Sequence, residues 1–239
     1  VLDAPLRRVS GPVFAAAGRR LAAAGIRPGW VTAGGWVLGV GACLAVGFAS
    51  WTAALALWLA NRVLDGLDGA VARAGTPSTL GGYLDLVADF SVYAGFVLAV
   101  AVAVPPARLA CTALLFAYYL SGSAFLALSS LLERRGRTTA DGRSLHFVGG
   151  LAEGAETIVV YVLVCLLPGR AAAIAWTFAA VVAVTAVQRV VTAVRLLGPG
   201  VSAGAERPAS GDGWPAAAVS PRDGAGPAGG RRRPHRGRR

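Results

Sequence analysis

Apolar residues fall into six long runs, at 30–50, 51–73, 80–104, 107–132, 147–167 and 171–197, mostly bounded by Pro, Gly or Arg-rich breaks. Each is long enough to cross the hydrocarbon of a bilayer as a helix, for which about 20 residues suffice. The second run is apolar only to Ala60, then turns polar at Asn61-Arg62 and ends near Arg73. A short break at 74–79 holds Gly75 and Pro77, both turn formers. Pro105-Pro106 stops the third run and Pro168-Gly169 the fifth. Residues 3–24 have a different pattern. Leu6, Val9, Val13, Phe14, Ala17 and Leu21 recur at helical spacing opposite Arg pairs. This predicts an amphipathic helix on the membrane surface, broken by Pro28-Gly29. Residues 198–239 are rich in Gly, Pro, Ala and Arg, cannot bury a core, and read as a disordered tail.

The predicted fold is therefore all-α and integral to the membrane, with six transmembrane helices and an N-terminal amphipathic interfacial helix. It divides into a juxtamembrane segment (1–29), a six-helix domain (30–197) and an Arg/Gly/Pro-rich tail (198–239). Composition agrees: 55% of the 239 residues are hydrophobic and only 15% are charged. Every basic residue is Arg, and the formal net charge is +11. Most of these arginines flank the apolar runs, the pattern of a cytoplasmic Arg excess near anionic lipid, and nucleic acid is not an expected partner. Arg-only usage with abundant Ala and Gly points to a GC-rich, bacterial genome, hence to the inner membrane. Arg-rich stretches lie at the N-terminus, after the second and fourth runs and in the tail, which places both termini in the cytoplasm. Residues 1–29 lack an uninterrupted apolar core and do not read as a cleavable signal. Val1 fits either a GTG start translated literally or a truncated chain. Cys43, Cys111 and Cys165 sit singly in apolar runs and read as small core residues. Trp30, Trp51 and Trp176 lie near run ends, as interfacial anchors do.

The exception to this apolar pattern is the stretch from residue 65 to 89. It holds Asp65, Asp68, Asp85 and Asp89, four of the twelve acidic residues. Carboxylates beside a bilayer are costly without a partner. Spacings of three and four put each pair on one helix face, and antiparallel neighbouring helices would bring the pairs together. Four converging carboxylates repel unless a cation joins them, and carboxylate-only ligands suit Mg²⁺, Mn²⁺ or Ca²⁺ rather than zinc. Two such ions suit phosphoryl transfer. Gly66 and Gly69, with Ala70 and Ala72, leave a bare surface for a ligand, and Arg73 is placed to meet a phosphate. Taken singly, each feature has an ordinary reading: Gly for helix packing, Arg73 as a cytoplasmic anchor, a lone Asp paired with Arg62. The combination argues for a site.

Asp65, Asp68-Gly69, Ala72-Arg73, Gly81, Asp85 and Asp89, in this spacing, resemble the signature of the CDP-alcohol phosphatidyltransferases, with all eight positions filled. The resemblance extends over about residues 1–197, including the IRPGWVT segment before the first run. It implies a membrane enzyme of phospholipid biosynthesis that displaces CMP from a CDP-linked lipid, usually CDP-diacylglycerol, by an acceptor hydroxyl. It further implies that Asp65, Asp68, Asp85 and Asp89 hold two divalent cations, Mg²⁺ or Mn²⁺. Asp89 would also be the general base, and Gly69, Ala72, Arg73 and Gly81 would bind the nucleotide. Homodimers are expected.

In family members that use phosphate-bearing acceptors, the fifth run opens with an Ile-Glu-Arg-x-x-Arg pattern. Here Ala152-Glu153-Gly154-Ala155-Glu156-Thr157 stands in its place, without the arginines, and resembles a bacterial branch with a GGLxEGxET segment. Arg143, Glu153, Glu156 and Arg189 are the candidate residues for a small polar acceptor, with Arg137 and His146 nearby in the loop. Glu153 and Glu156 equally fit pairing with loop arginines. A divalent-cation channel or transporter is the alternative. An ion path should continue polar across the bilayer, whereas the third and fourth runs are apolar beyond Asp89.

Overall fold

The computed structural model describes residues 3–75, 78–134 and 154–197. Within them the chain is helical, with no strand. The helices are α1 (Asp3–Ala23), α2 (Pro28–Gly47), α3 (Trp51–Ala74), α4 (Thr79–Ala103), α5 (Arg108–Arg134), α6 (Gly154–Leu166) and α7 (Ala171–Leu197). The expected tail and most of the Arg-rich loop lie outside the described residues.

The helix ends follow local chemistry more closely than the apolar runs suggested. Gly25, not Pro28-Gly29, terminates α1. Its φ of 77° is left-handed, and the N–H groups of Gly25 and Ile26 close back on the carbonyls of Ala22 and Leu21. Pro28 instead opens α2, where its missing N–H costs nothing. α2 ends the same way: Ala49 adopts φ 53°, and the N–H groups of Ala49 and Ser50 donate to Val46 and Ala45. Ser78 caps α4 by accepting from the Gly81 N–H at 3.0 Å. The two prolyl breaks become 3-10 turns, Pro105–Ala107 and Pro168–Arg170, that lead into α5 and α7.

Helix α3 is central. It packs against α2 on one side and against α1 and α6 on others, α4 lies across α2 and α5, and α5 pairs with α7. Small residues let the backbones approach, as they do where lipid supplies no hydrophobic drive between helices. A Cβ at Gly39 of α2 would stand 2.5 Å from Val92 Cγ2 of α4, and one at Gly18 of α1 would stand 2.6 Å from the Ala70 carbonyl carbon of α3. Thus α1 is docked on α3 beside the aspartates. The expected bare surface at Gly66 is occupied: the Phe14 ring lies 3.0 Å from where its Cβ would be.

An aromatic cluster fills the centre. Trp58, Phe96 and Tyr161 are buried, with Phe96 stacked on Tyr161 at 4.2 Å and Trp58 4.9 Å from Tyr161. The Tyr161 hydroxyl donates to the Tyr93 carbonyl at 2.8 Å, tying α6 to α4. Cys111 and Cys165 are buried core residues and Cys43 is half-buried, all three as free thiols. Trp30 and Trp176 are exposed, whereas Trp51 packs against the core.

Among the described residues, α2, α4, α5 with its preceding turn, and α7 with its preceding turn are long and apolar enough to cross a membrane. Their outer faces present Leu44, Leu98, Phe116 and Val187. α3 has 24 residues, but Arg62, Asp65, Asp68 and Arg73 fill its second half. Its apolar half at 51–60 spans only about 15 Å at 1.5 Å per residue, half the hydrocarbon thickness. The described part of α6 is 13 residues long.

Candidate active site

Three helices meet at a small cleft. α2 contributes Thr32, Gly35 and Trp36; α3 contributes Asn61, Asp65 and Asp68; α4 contributes Asp85, Ala88, Asp89 and Val92. The hairpin of α3 and α4 does what the Asp spacing required. One carboxylate oxygen from each of Asp65, Asp68 and Asp85 lies within 4.8 Å of the others. Asp68 is buried and accepts a hydrogen bond from Thr32 Oγ1 at 2.8 Å. That hydroxyl is also within 3.2 Å of the Pro28 carbonyl. Asp65 and Asp85 are half-buried.

Asp89 faces the same cleft but has a different partner. Arg62, buried at the middle of α3, donates from Nη2 to Asp89 Oδ1 at 2.8 Å. Its Nη1 lies 3.5 Å from Asp65 Oδ2. The guanidinium is held on every side. Nε donates to Asn61 Oδ1 at 2.8 Å, Nη1 donates to the Tyr93 hydroxyl at 2.8 Å, and the Trp58 and Tyr93 rings lie 4.7 Å and 5.1 Å from its central carbon. Asn61 is fixed in turn, since its Nδ2 donates to the Gly35 carbonyl at 2.8 Å and joins α3 to α2. Arg62 is buried and Asp89 half-buried, so removing Asp89 would leave a buried cation with only the more distant Asp65 to balance it.

This donor set fits a hard divalent cation. Three carboxylates converge, the neighbouring Arg62 pairs with Asp65 and Asp89, and among the described residues no basic side chain forms an ion pair with Asp68 or Asp85. All-oxygen ligands match Mg²⁺, Mn²⁺ or Ca²⁺.

The other expected positions lie around this centre. Gly69 is next to Asp68, and a Cβ there would meet Arg73 Nη1 at 3.2 Å. Ala72 is half-buried and Arg73 exposed in the last turn of α3. Gly81 sits in the first turn of α4, where a Cβ would stand 2.9 Å from the capping Ser78 Oγ. Glu156 is half-buried in the first turn of α6. Arg189 of α7 is docked on α5: its Nη1 donates to the Ser121 carbonyl at 3.0 Å and to Ser121 Oγ at 2.8 Å, and its central carbon lies 5.2 Å from the Phe125 ring centre. Neither Glu156 nor Arg189 lines the aspartate cleft. Arg143, Glu153, Arg137 and His146 lie outside the described residues.

Sequence reasoning did not single out Thr32, Asn61 or Tyr93. Asn61-Arg62 at the end of an apolar run was a usable signal, because two polar residues facing inward there need partners. Thr32 and Tyr93 carried none, being ordinary residues within apolar helices.

No family model matches the chain. The inner membrane protein YnjF of Escherichia coli (strain K12) is 39% identical over 197 residues, an alignment covering 80% of this chain and 94% of that protein. Among solved structures, Mycobacterium tuberculosis phosphatidylinositol phosphate synthase (PgsA1) with CDP-DAG bound is similar in fold. Its TM-score is 0.63 at 21% identity, over 80% of this chain and 97% of that one. The chain therefore belongs to one family with the inner membrane protein YnjF, and it carries the fold and the eight-position signature of the CDP-alcohol phosphatidyltransferases.

Proposed function

We propose that the protein is a phosphatidyltransferase of phospholipid biosynthesis that displaces CMP from a CDP-linked lipid, with CDP-diacylglycerol the favoured donor, by the hydroxyl of a small polar acceptor. The observation that carries this reading is the convergence of Asp65, Asp68 and Asp85, with Asp89 on the same cleft. The solved structure of similar fold holds CDP-DAG, which supports a CDP-lipid donor.

In this reading Asp65, Asp68, Asp85 and Asp89, which line one cleft, hold two divalent cations, Mg²⁺ or Mn²⁺. When bound, the metal neutralises charge on the diphosphate and on the departing CMP. Asp89 accepts the proton of the acceptor hydroxyl as its oxygen bonds to the lipid-bearing phosphorus. The bond from that phosphorus to the CMP oxygen breaks, and CMP leaves with the electron pair. Gly69, Ala72 and Gly81 give the nucleotide close access to backbone, and Arg73 meets its phosphates. Arg143, Glu153, Glu156 and Arg189 serve the acceptor.

The protein is a multi-pass protein of the bacterial inner membrane, like the relative whose name says so. In this arrangement α3 and α6 complete a six-span bundle, both termini are cytoplasmic and the chain forms a homodimer. A channel is not favoured, because buried Val92, Phe96, Val97 and Val100 continue α4 beyond Asp89 with apolar side chains. The test is CMP release from radiolabelled CDP-diacylglycerol by purified protein with Mg²⁺ or Mn²⁺ and a panel of polar acceptors. Failure to release CMP with any acceptor, together with failure to bind the nucleotide lipid, would sink the reading.

A further inference from the structure

Two helices hold the aspartate half of α3 in place. One is α2, which reaches it through Thr32 on Asp68 and through Asn61 on the Gly35 carbonyl. The other is α1, which supplies none of the residues lining the cleft. It meets α3 at two points. The Phe14 ring lies over Gly66, with three ring carbons 3.0–3.2 Å from where a Cβ would be. At the second point the contact is with backbone: a Cβ on Gly18 would stand 2.6 Å from the Ala70 carbonyl carbon and 2.8 Å from its oxygen. Phe14 and Gly18 are four apart, as are Gly66 and Ala70, so one face of each helix makes both contacts. Val13, beside them on α1, is 70% exposed.

At about 100° per residue, the Gly66–Ala70 face of α3 points about 150° away from the direction of Asp65 and Asp68. The contacts therefore bear on the back of the turn that carries two of the converging carboxylates. Beyond Ala60, α3 is too polar for hydrocarbon to hold it, and its position depends on its protein neighbours. We infer that α1 belongs to the frame of the metal centre: Phe14 and Gly18 are positioning residues that hold the 65–70 turn of α3 from behind, against α2, so that Asp65 and Asp68 stand where Asp85 meets them. The inference rests on the metal-binding part of the proposed reading and goes beyond it, because neither residue belongs to the signature or to the cleft.

The test measures Mn²⁺ binding by electron paramagnetic resonance on purified protein in lipid nanodiscs, without substrate, beside thermal unfolding and CMP release. Gly18→Ala moves α1 about 1 Å off the Ala70 backbone, since carbon atoms in contact prefer about 3.5–4.0 Å and a carbonyl cannot turn aside as a side chain can. Phe14→Ala empties the space over Gly66, and Phe14→Leu refills most of it. Gly18→Ala and Phe14→Ala each weaken Mn²⁺ binding about tenfold, the low end for residues that orient metal ligands from outside the ligand set. Phe14→Leu returns the affinity to near the wild-type value. Val182→Ala is the control. Val182 is buried in the core on α7 and does not line the cleft, so its truncation lowers the unfolding temperature and leaves Mn²⁺ affinity unchanged.

Wild-type Mn²⁺ affinity in either Gly18→Ala or Phe14→Ala overturns the inference. An equal loss in Val182→Ala does so too, because stability alone would then account for the effect, as does a Phe14→Leu variant no better than Phe14→Ala. Should Gly18→Ala not fold, the two Phe14 variants decide. Wild-type protein that binds no Mn²⁺ removes the metal centre and the inference with it. Wild-type protein that binds Mn²⁺ but releases no CMP counts against the proposed reaction and leaves the comparison of variants intact.

Discussion

A methyl group added at Gly39 tests whether the cleft depends on backbone contact between α2 and α4. In Gly39→Ala the new Cβ would stand 2.5 Å from Val92 Cγ2, 2.8 Å from Val92 Cγ1 and 3.0 Å from Asn61 Nδ2. Carbon atoms in contact prefer about 3.5–4.0 Å, so about 1 Å must be found. Val92 cannot swing aside at low cost, because a β-branched side chain in a helix has one strongly preferred rotamer. Overpacking of this kind costs about 1–3 kcal/mol, offset by up to about 1 kcal/mol from replacing a helical Gly with Ala. With the full offset the net destabilisation is up to about 2 kcal/mol. Separation of the helices by about 1 Å would also displace Thr32 from Asp68 and Asn61 from Gly35, and a shift of that size at a reacting centre costs about 100-fold in rate. Thermal unfolding in nanodiscs reads the first effect and CMP release the second. The companion Val92→Ala removes both Cγ atoms, so the double variant should recover most of the lost stability relative to Val92→Ala alone. If Gly39→Ala unfolds no earlier than wild type, or if Val92→Ala relieves none of its cost, the close approach of α2 and α4 is not what shapes the cleft.

The remaining predictions address the site and its frame. Asp68→Asn replaces a buried carboxylate of the proposed metal site with a neutral amide; Mn²⁺ binding should weaken about tenfold, and an unchanged titration would exclude Asp68 from the metal. Asp89→Asn should abolish turnover while leaving binding of the nucleotide lipid largely intact, and wild-type rates in that variant would remove Asp89 as the base. Ser78→Ala deletes the cap of α4 and should lower stability by about 1 kcal/mol, measured by the midpoint of thermal unfolding. Ala49→Gly should raise that midpoint, because φ 53° strains any residue with a Cβ by about 1 kcal/mol; a lower midpoint would show that the α2–α3 turn is not under strain.

Much of the helical frame was legible because the apolar runs are long and Pro and Gly mark their ends. The run at 171–197 matches α7, and the α3–α4 hairpin lies where Gly75 and Pro77 placed it. The boundaries that shifted did so through backbone conformation. A left-handed Ala at position 49 leaves no compositional trace, so the break between α2 and α3 was drawn after Gly47 had already ended the helix. The amphipathic pattern of residues 3–24 correctly indicated a helix, yet a pattern of faces does not name the surface that a face meets. Here that surface includes Gly66 and Ala70 of α3, met by Phe14 and Gly18.

At the site, helical spacing alone put Asp65 with Asp68 and Asp85 with Asp89, since residues three or four apart share a face whatever surrounds them. Periodicity is a local property, and the sequence determined it. Which oxygens converge across helices is not local. Tertiary packing joined Asp65, Asp68 and Asp85 into one cluster, hung Thr32 over Asp68, and set Arg62 against Asp89 within a frame of Asn61, Tyr93 and Trp58. The physical reason is the close approach of three backbones at glycine and alanine positions. That approach brings carboxylates from different helices within 4.8 Å of one another, a distance that no local periodicity fixes.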